Sequence, residues 1–230
     1  MSLNFDGPVS FSNQLLSDLK TRINRKMGSK KKLPWMYSKE IDLLSEALKN
    51  LNPKRCLEWG SGFSTVYFPH LLDKDSSWLA LEHNTEWFEI VDKSNQNSRV
   101  EVVNMPADQE PYTDPKKDGA YDDFKSYIEY PEGKFDFIFI DGRARKDCVK
   151  KAFELINDDG LVVLHDANRT HYYDHFELYK HQVLFDDHHK KYGGVWLASK
   201  TIPIDNFINV DKHKRVWKRH DVFAKIFKPF

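Results

Sequence analysis

Two apolar runs of this chain end in groups able to move a proton or hold a cation. Phe135-Asp136-Phe137-Ile138-Phe139-Ile140 ends in Asp141, and Leu161-Val162-Val163-Leu164 ends in His165 and Asp166. Charges at the ends of buried runs are costly unless a cation, a metal or a ligand matches them, so these residues mark a candidate catalytic site. Two chemistries are open to it. A hard divalent cation such as Mg2+, held by Asp141, Asp166 and Asn168, would orient a substrate oxygen and lower its pKa. Alternatively, His165 or Asp166 removes a hydroxyl proton without metal, work that suits a histidine titrating near neutrality. Nearby, Arg143 and Arg145 either clamp an anionic group or lie solvated on a helix.

A second constellation lies upstream in Glu58-Trp59-Gly60-Ser61-Gly62-Phe63-Ser64-Thr65. It follows an apolar run and opens a helical pattern, the setting in which paired glycines let backbone approach a ligand closely. Glu58 can accept from an ammonium or ribose group, and Glu82, at the end of the next apolar run, is placed to take both hydroxyls of a ribose. A dinucleotide fingerprint would want a third glycine where this chain has Thr65.

The elements that must position these groups alternate. Strands are expected at Arg55 to Glu58, Trp78 to Glu82, Val100 to Val103, Phe135 to Ile140 and Leu161 to His165, with helices at Ser64 to Leu72, Thr85 to Ser94 and Ala144 to Ile156. Such alternation implies right-handed crossovers and a parallel sheet covered on both faces, with ligands beyond the strand carboxyl ends. A further helix precedes them, with Ser38 as N-cap, Glu40 and Asp42 in the first turn, and Ile41, Leu44, Leu48 and Leu51 on one face. After Asp166 a helix is expected at His171 to Tyr179 and strands at Gln182 to Phe185 and Gly194 to Ala198. The last two are too close for a helical crossover and should pair antiparallel.

The glycine segment, the acid at 82 and the strand-end Asp141 together resemble class I S-adenosylmethionine-dependent methyltransferases, over roughly residues 35 to 199. That resemblance implies an α/β, Rossmann-like fold: a mostly parallel seven-stranded sheet with a final antiparallel strand and helices on both faces. It assigns Glu58, Gly60, Ser61 and Gly62 to the methionine end of the cofactor and Glu82 to its ribose, and it counts Ser64, His83 and Asp141 among the cofactor-binding residues. The acids after the fourth and fifth strands look like those of the metal-dependent catechol and caffeoyl-CoA O-methyltransferases, although Ala167 interrupts their Asp-Asn pair. Asp141-Gly142-Arg143-Ala144-Arg145, His165-Asp166 with Arg169, and Gly193-Gly194-Val195-Trp196 are more loosely similar to the plant glucuronoxylan methyltransferases and bacterial proteins like them. The implied activity is methyl transfer from S-adenosylmethionine to a hydroxyl of a small-molecule or saccharide acceptor. Two alternatives are a non-catalytic, regulatory cofactor-binding protein of the same fold and a nucleic-acid methyltransferase.

Composition narrows the classes. The chain has 230 residues, Lys plus Arg and Asp plus Glu both number 35, and the formal charge is zero, so no global field draws it to nucleic acid. Two cysteines are too few for a disulfide scaffold, which fits a reducing cytoplasm. Mean hydropathy is −0.66, and no apolar run nears the roughly 20 residues that cross a bilayer, so no membrane partner is expected. The expected organisation is a basic arm at 1–37, a methyltransferase domain at 38–199 with an insertion or lid at 104–134, and a tail at 200–230, with a homodimer allowed for. The aromatics of that tail, Trp217 among them, are expected to dock on the domain or a partner rather than on bases.

Overall fold

The computed structural model describes residues 11–26, 33–114, 118–188 and 192–227. Part of the basic arm, residues 27–32, lies outside them. Seven strands form one sheet: β1 Arg55–Trp59, β2 Ser77–Glu82, β3 Val100–Asn104, β4 Phe135–Ile140, β5 Ile156–His165, β6 His181–Phe185 and β7 Val195–Ser199. Their order is β3-β2-β1-β4-β5-β7-β6, with β7 antiparallel to both neighbours and every other pairing parallel.

Alternation along the strands divides the core into two layers, because successive side chains leave opposite faces of a sheet. Cys56, Trp78, Ala80, Phe137, Phe139, Leu161 and Val163 point to one face. Leu57, Trp59, Leu81, Ile138, Ile140, Val162 and Leu164 point to the other. Helices α1 Phe11–Lys26 and α2 Ser38–Leu51 precede the sheet; α3 Phe63–Tyr67, α4 Thr85–Ser94, α5 Lys125–Glu129 and α6 Arg145–Leu155 connect its strands; α7 Val210–Phe227 follows it. On the first face Leu43, Leu44, Ala47 and Leu48 of α2 pack together with Trp217 of α7. On the second, Cys148, Val149 and Ala152 of α6 lie with Tyr172 and Tyr179.

Some local details differ from expectation. The N-cap of α2 is Tyr37 rather than Ser38: Glu40 reaches back to the Tyr37 N–H at 2.8 Å, while the Ser38 N–H donates to Asp18 of α1 at 2.7 Å. The helix expected at 171–179 is a 3-10 segment, Thr170–Leu178. Within 104–134 the chain forms a 3-10 turn at Tyr121–Asp123 and the single-turn helix α5. Asp123 organises this segment, accepting from the Ala120 and Thr113 N–H groups, the Thr113 hydroxyl and Gln109. Residues 210–227 form an 18-residue helix.

Candidate active site

The glycine loop leaves β1 and stays tied to β2, since the N–H groups of Gly60 and Ser61 both donate to the Leu81 carbonyl, at 2.9 and 3.1 Å. Gly60 has φ +94°, and a Cβ there would stand 2.4 Å from Cα of Gly142. Two loops therefore cross in backbone contact, and only glycine fits on the first. Gly62 is different. Its backbone is extended, φ −170°, and an added Cβ would meet only the Ser64 hydroxyl, at 3.6 Å. Among the described residues, only the Ser64 hydroxyl comes within 4 Å of a side chain added at Gly62.

Glu58 braces this loop from beneath. Fully buried, its carboxylate accepts from the Ser64 hydroxyl at 2.6 Å, the Thr65 hydroxyl at 2.7 Å and the Trp78 indole at 2.8 Å. Burial pushes its pKa up to about 7 despite those three donors. Glu58 and Ser64 thus satisfy each other inside the fold. Glu82 keeps more capacity. Its Oε1 accepts from the Asn84 N–H at 2.9 Å and lies 2.9 Å from His83 Nδ1, whereas among the described residues Oε2 has only the Ser61 hydroxyl at 3.3 Å. Trp87 donates to the Ser61 carbonyl at 2.9 Å and joins Phe63 and the exposed Trp35 in an aromatic rim beside the loop.

At the ends of β4 and β5 the structure brings Asp141, His165 and Asp166 together, along with partners invisible to sequence spacing. Arg145, in the first turn of α6, lies buried among three carboxylates: Asp141 Oδ1 at 3.3 Å, Asp166 Oδ2 at 3.6 Å and Asp118 Oδ2 at 3.8 Å. It also donates to the carbonyls of Gly142 and His165, at 2.9 and 2.7 Å. Burial works against its charge, but those acids hold its pKa above the ordinary arginine value. Arg145 is therefore neither solvated nor open to clamp a ligand. Arg143 is more open, 3.3 Å from Asp118 and 3.4 Å from His83.

His165 is held on both sides. Nδ1 lies 3.1 Å from Asp141 Oδ1, and Nε2 lies 3.4 Å from Oε2 of Glu40, from the first turn of α2. Burial alone would lower its pKa, but the two carboxylates outweigh that and raise it well above the usual histidine value. Both carboxylates favour the imidazolium form of His165, which weighs against a neutral base near pH 7 at this position. Glu40 was legible only as an acid at a helix start, yet it is buried at the site, and its Oε1 has no hydrogen-bond partner.

Asp166 takes a left-handed backbone, φ +56°, steadied by the Gly193 N–H at 2.7 Å and Arg169 at 3.1 Å. Burial would raise its pKa, but His165 and Arg145 bring it below the ordinary carboxylate value. Asn168 is not beside it. Its amide donates to the Asp187 carbonyl at 3.0 Å and its oxygen accepts from the Asp187 N–H at 3.2 Å, so it ties down the turn between β6 and β7. The three residues expected to share a divalent ion are thus separated, two by a guanidinium and the third by its orientation. Among the described residues, Asp187, His188 and Asp221 do have ligand spacing, but the buried Lys39 ammonium already stands 2.6 Å from Asp187.

Residues 57–167 match the family described as a methyltransferase domain. No curated protein is close enough in sequence to match the chain. Solved structures share the fold. An O-methyltransferase from Bacillus cereus, in complex with SAH, is 17% identical with a TM-score of 0.54, over 86% of this chain and 94% of that one. TomG, an O-methyltransferase from Streptomyces achromogenes involved in tomaymycin synthesis and complexed with SAM, is 16% identical with a TM-score of 0.51, over 87% and 93%. A methyltransferase from Geobacter sulfurreducens is 13% identical with a TM-score of 0.53, over 86% and 94%.

Proposed function

Starting from a chain that has the class I methyltransferase fold and carries a methyltransferase domain at residues 57–167, we propose that it moves the methyl group of S-adenosylmethionine to a hydroxyl oxygen of a small-molecule or saccharide acceptor. The observation that carries this reading is the open side of Gly62 next to the spare oxygen of Glu82. A backbone without a side chain admits the methionine end, and Glu82 Oε2 accepts from ribose hydroxyls, with His83 fixed against the other carboxylate oxygen. The buried, unpartnered Oε1 of Glu40 is a further acceptor at the same strand ends.

When bound, the cofactor supplies an electrophilic methyl on a sulfonium, so the chain need only place an oxygen in line and take away its proton. Among the described residues, the hydrogen bond of Asp141 to His165 and its ion pair with Arg145 both run through Oδ1, and Oδ2 would face the acceptor hydroxyl. Asp141 would take the hydroxyl proton of an acceptor placed in line with the methyl group that the bound cofactor supplies. His165 and Arg145 position that carboxylate. The aromatic rim of Trp35, Phe63 and Trp87 suits an acceptor with a flat apolar face.

The test is calorimetry with S-adenosylmethionine, its demethylated product and NAD, followed by turnover of a panel of hydroxyl acceptors. Micromolar-range binding of the first two and not of NAD is expected. Preference for NAD would remove the reading. Cofactor binding without turnover of any acceptor, unchanged in Asp141→Asn, would favour a regulatory cofactor-binding protein instead.

A further inference from the structure

Helix α7 has two faces of different chemistry. His213, Trp217 and His220 form its inner face and are buried, with Trp217 5.1 Å from Phe185 of the sheet and His220 4.9 Å from Phe11 of α1. The opposite face carries Arg215, Lys218, Arg219, Val222 and Ile226, spaced three and four apart on one stripe. Its first two turns are cationic and its last two apolar. Ile226 is 67% exposed and Val222 48%, more than a domain with no partner for them requires.

Arg215, Lys218, Arg219, Val222, Phe223 and Ile226, with Phe11 from α1, line an open groove of about 450 Å³. None of its three cations forms an ion pair among the described residues. The surroundings share the bias: residues 11–26 and 210–227 hold ten Lys and Arg against three Asp and no Glu, a net of seven positive charges in a chain whose formal charge is zero.

We propose that this outer face of α7 is a docking surface for an anionic phospholipid bilayer. Val222, Phe223 and Ile226 would enter the acyl boundary, while Arg215, Lys218 and Arg219 meet the headgroups, as for an amphipathic helix lying on an interface. The charge decides the occupant. A second copy of the chain would bring its own three cations against these. Residues 1–10 carry a single acid, Asp6, and cannot match them. Nucleic acid would use the cations but has no need of an exposed Ile226 and Val222. No helix among the described residues is long and apolar enough to cross a membrane, so the contact is peripheral. It needs no spanning segment, only the sorting of Arg215, Lys218 and Arg219 onto one side of the helix. It also leaves the strand-end site untouched.

The test uses the full chain and co-sedimentation with vesicles, neutral phosphatidylcholine in one arm and about one-third phosphatidylglycerol in the other. Binding to the anionic vesicles, weakened by salt, and little to the neutral ones is expected. Each juxtamembrane cation contributes about fivefold, so the double variant Lys218→Glu with Arg219→Glu should lower partitioning at least tenfold. Ile226→Asp should remove the part that survives high salt. Cofactor binding by the same variants, measured calorimetrically, should match the parent and shows that they fold. The proposal is overturned by absence of binding to anionic vesicles at low salt, by equal binding to both vesicle types, or by variants that partition like the parent. A parent dimer that the charge reversals dissociate would overturn it too, assigning the face to a second copy.

Discussion

Glu40 and His165, 125 positions apart in sequence, meet at 3.4 Å between Oε2 and Nε2. The contact ties the first turn of α2 to the end of β5 and, with Asp141, encloses the imidazole between two carboxylates. Removing one of them should release the ring. In Glu40→Gln the His165 pKa should fall toward its ordinary value, followed as the imidazole resonances in an NMR titration. Stability should drop by about 3 kcal/mol, the low end for breaking a buried pair, because Asp141 remains. An unaltered His165 titration in Glu40→Gln would show that Asp141 alone sets the charge.

The pH dependence of stability follows from the same groups. His165 is raised above its unfolded value of 6.5, so the fold binds its proton more tightly. Its contribution is complete below that value and is lost as pH rises through the folded one. Glu58, at about 7 against 4.5, has the same sign and costs on the order of 3 kcal/mol once ionised. His220 opposes them: burial lowers it to about 4, and its effect ends by pH 6.5. Thermal melts should therefore show stability still falling as pH rises above about 7. The difference between the parent and Glu58→Gln should isolate the limb between about 4.5 and 7, since glutamine keeps the neutral form at every pH. A parent that gains stability above pH 7 would reverse the sign and contradict the assignment.

Two glycines of one loop should fail differently. Gly60→Ala forces a side chain onto a φ of +94° and into the backbone of Gly142, neither of which can yield, and should cost about 3 kcal/mol or more. Gly62→Ala meets only the Ser64 hydroxyl at 3.6 Å and should melt like the parent. It should nevertheless lose cofactor affinity by at least about tenfold, because the methyl occupies the ligand's side of the loop. Calorimetry showing full affinity in Gly62→Ala would empty that side of its role.

The sheet was legible because its signal is local and repeated: β4 falls where its apolar run does, and the antiparallel pairing of β6 and β7 follows from a connection too short for a crossover. Gly60 and Glu82 were legible for the same reason, each standing just where a strand ends. What resisted reading depends on distance in space. Glu40 gives no sign in its own helix that it faces His165, because the contact is made by packing α2 over the sheet. Arg145 lies four residues from Asp141, which hints at a pair, but its burial among Asp118, Asp141 and Asp166 depends on a loop and a second strand. The upward shift of the His165 pKa comes from those unseen neighbours, so its own strand gave no sign of it.

Glu82 offers a cleaner measure of cofactor recognition than the residues beneath the loop. Its Oε1 is occupied by the Asn84 N–H and His83, while among the described residues Oε2 has only a long contact to Ser61. Glu82→Ala should weaken binding of S-adenosylmethionine by about 1.5 to 3 kcal/mol, the worth of charge-assisted hydrogen bonds to ribose hydroxyls. Glu82→Gln should recover part of this, since one neutral acceptor remains. Equal affinity in all three proteins, by titration calorimetry, would place the ribose elsewhere.

The last prediction concerns metal. Asp141 and Asp166 converge as a divalent site would require, but the guanidinium of Arg145 stands 3.3 Å from one and 3.6 Å from the other. A cation entering between them would have to displace a buried arginine that also holds the carbonyls of Gly142 and His165. The imidazolium of His165 adds like charge 3.1 Å from Asp141, and Asn168 spends its amide on Asp187. The donor set is therefore already matched by fixed cations, and methyl transfer should proceed unchanged in excess chelator, with no response to magnesium or manganese. Arg145→Ala reverses the situation: it leaves Asp118, Asp141 and Asp166 facing one another without their shared cation. That variant should be destabilised by about 3 to 5 kcal/mol and should regain part of the loss on adding a divalent ion, which the parent should not. Loss of turnover in chelator by the parent, restored by magnesium, would show instead that Arg145 gives way and that the metal-dependent route is the one this chain uses.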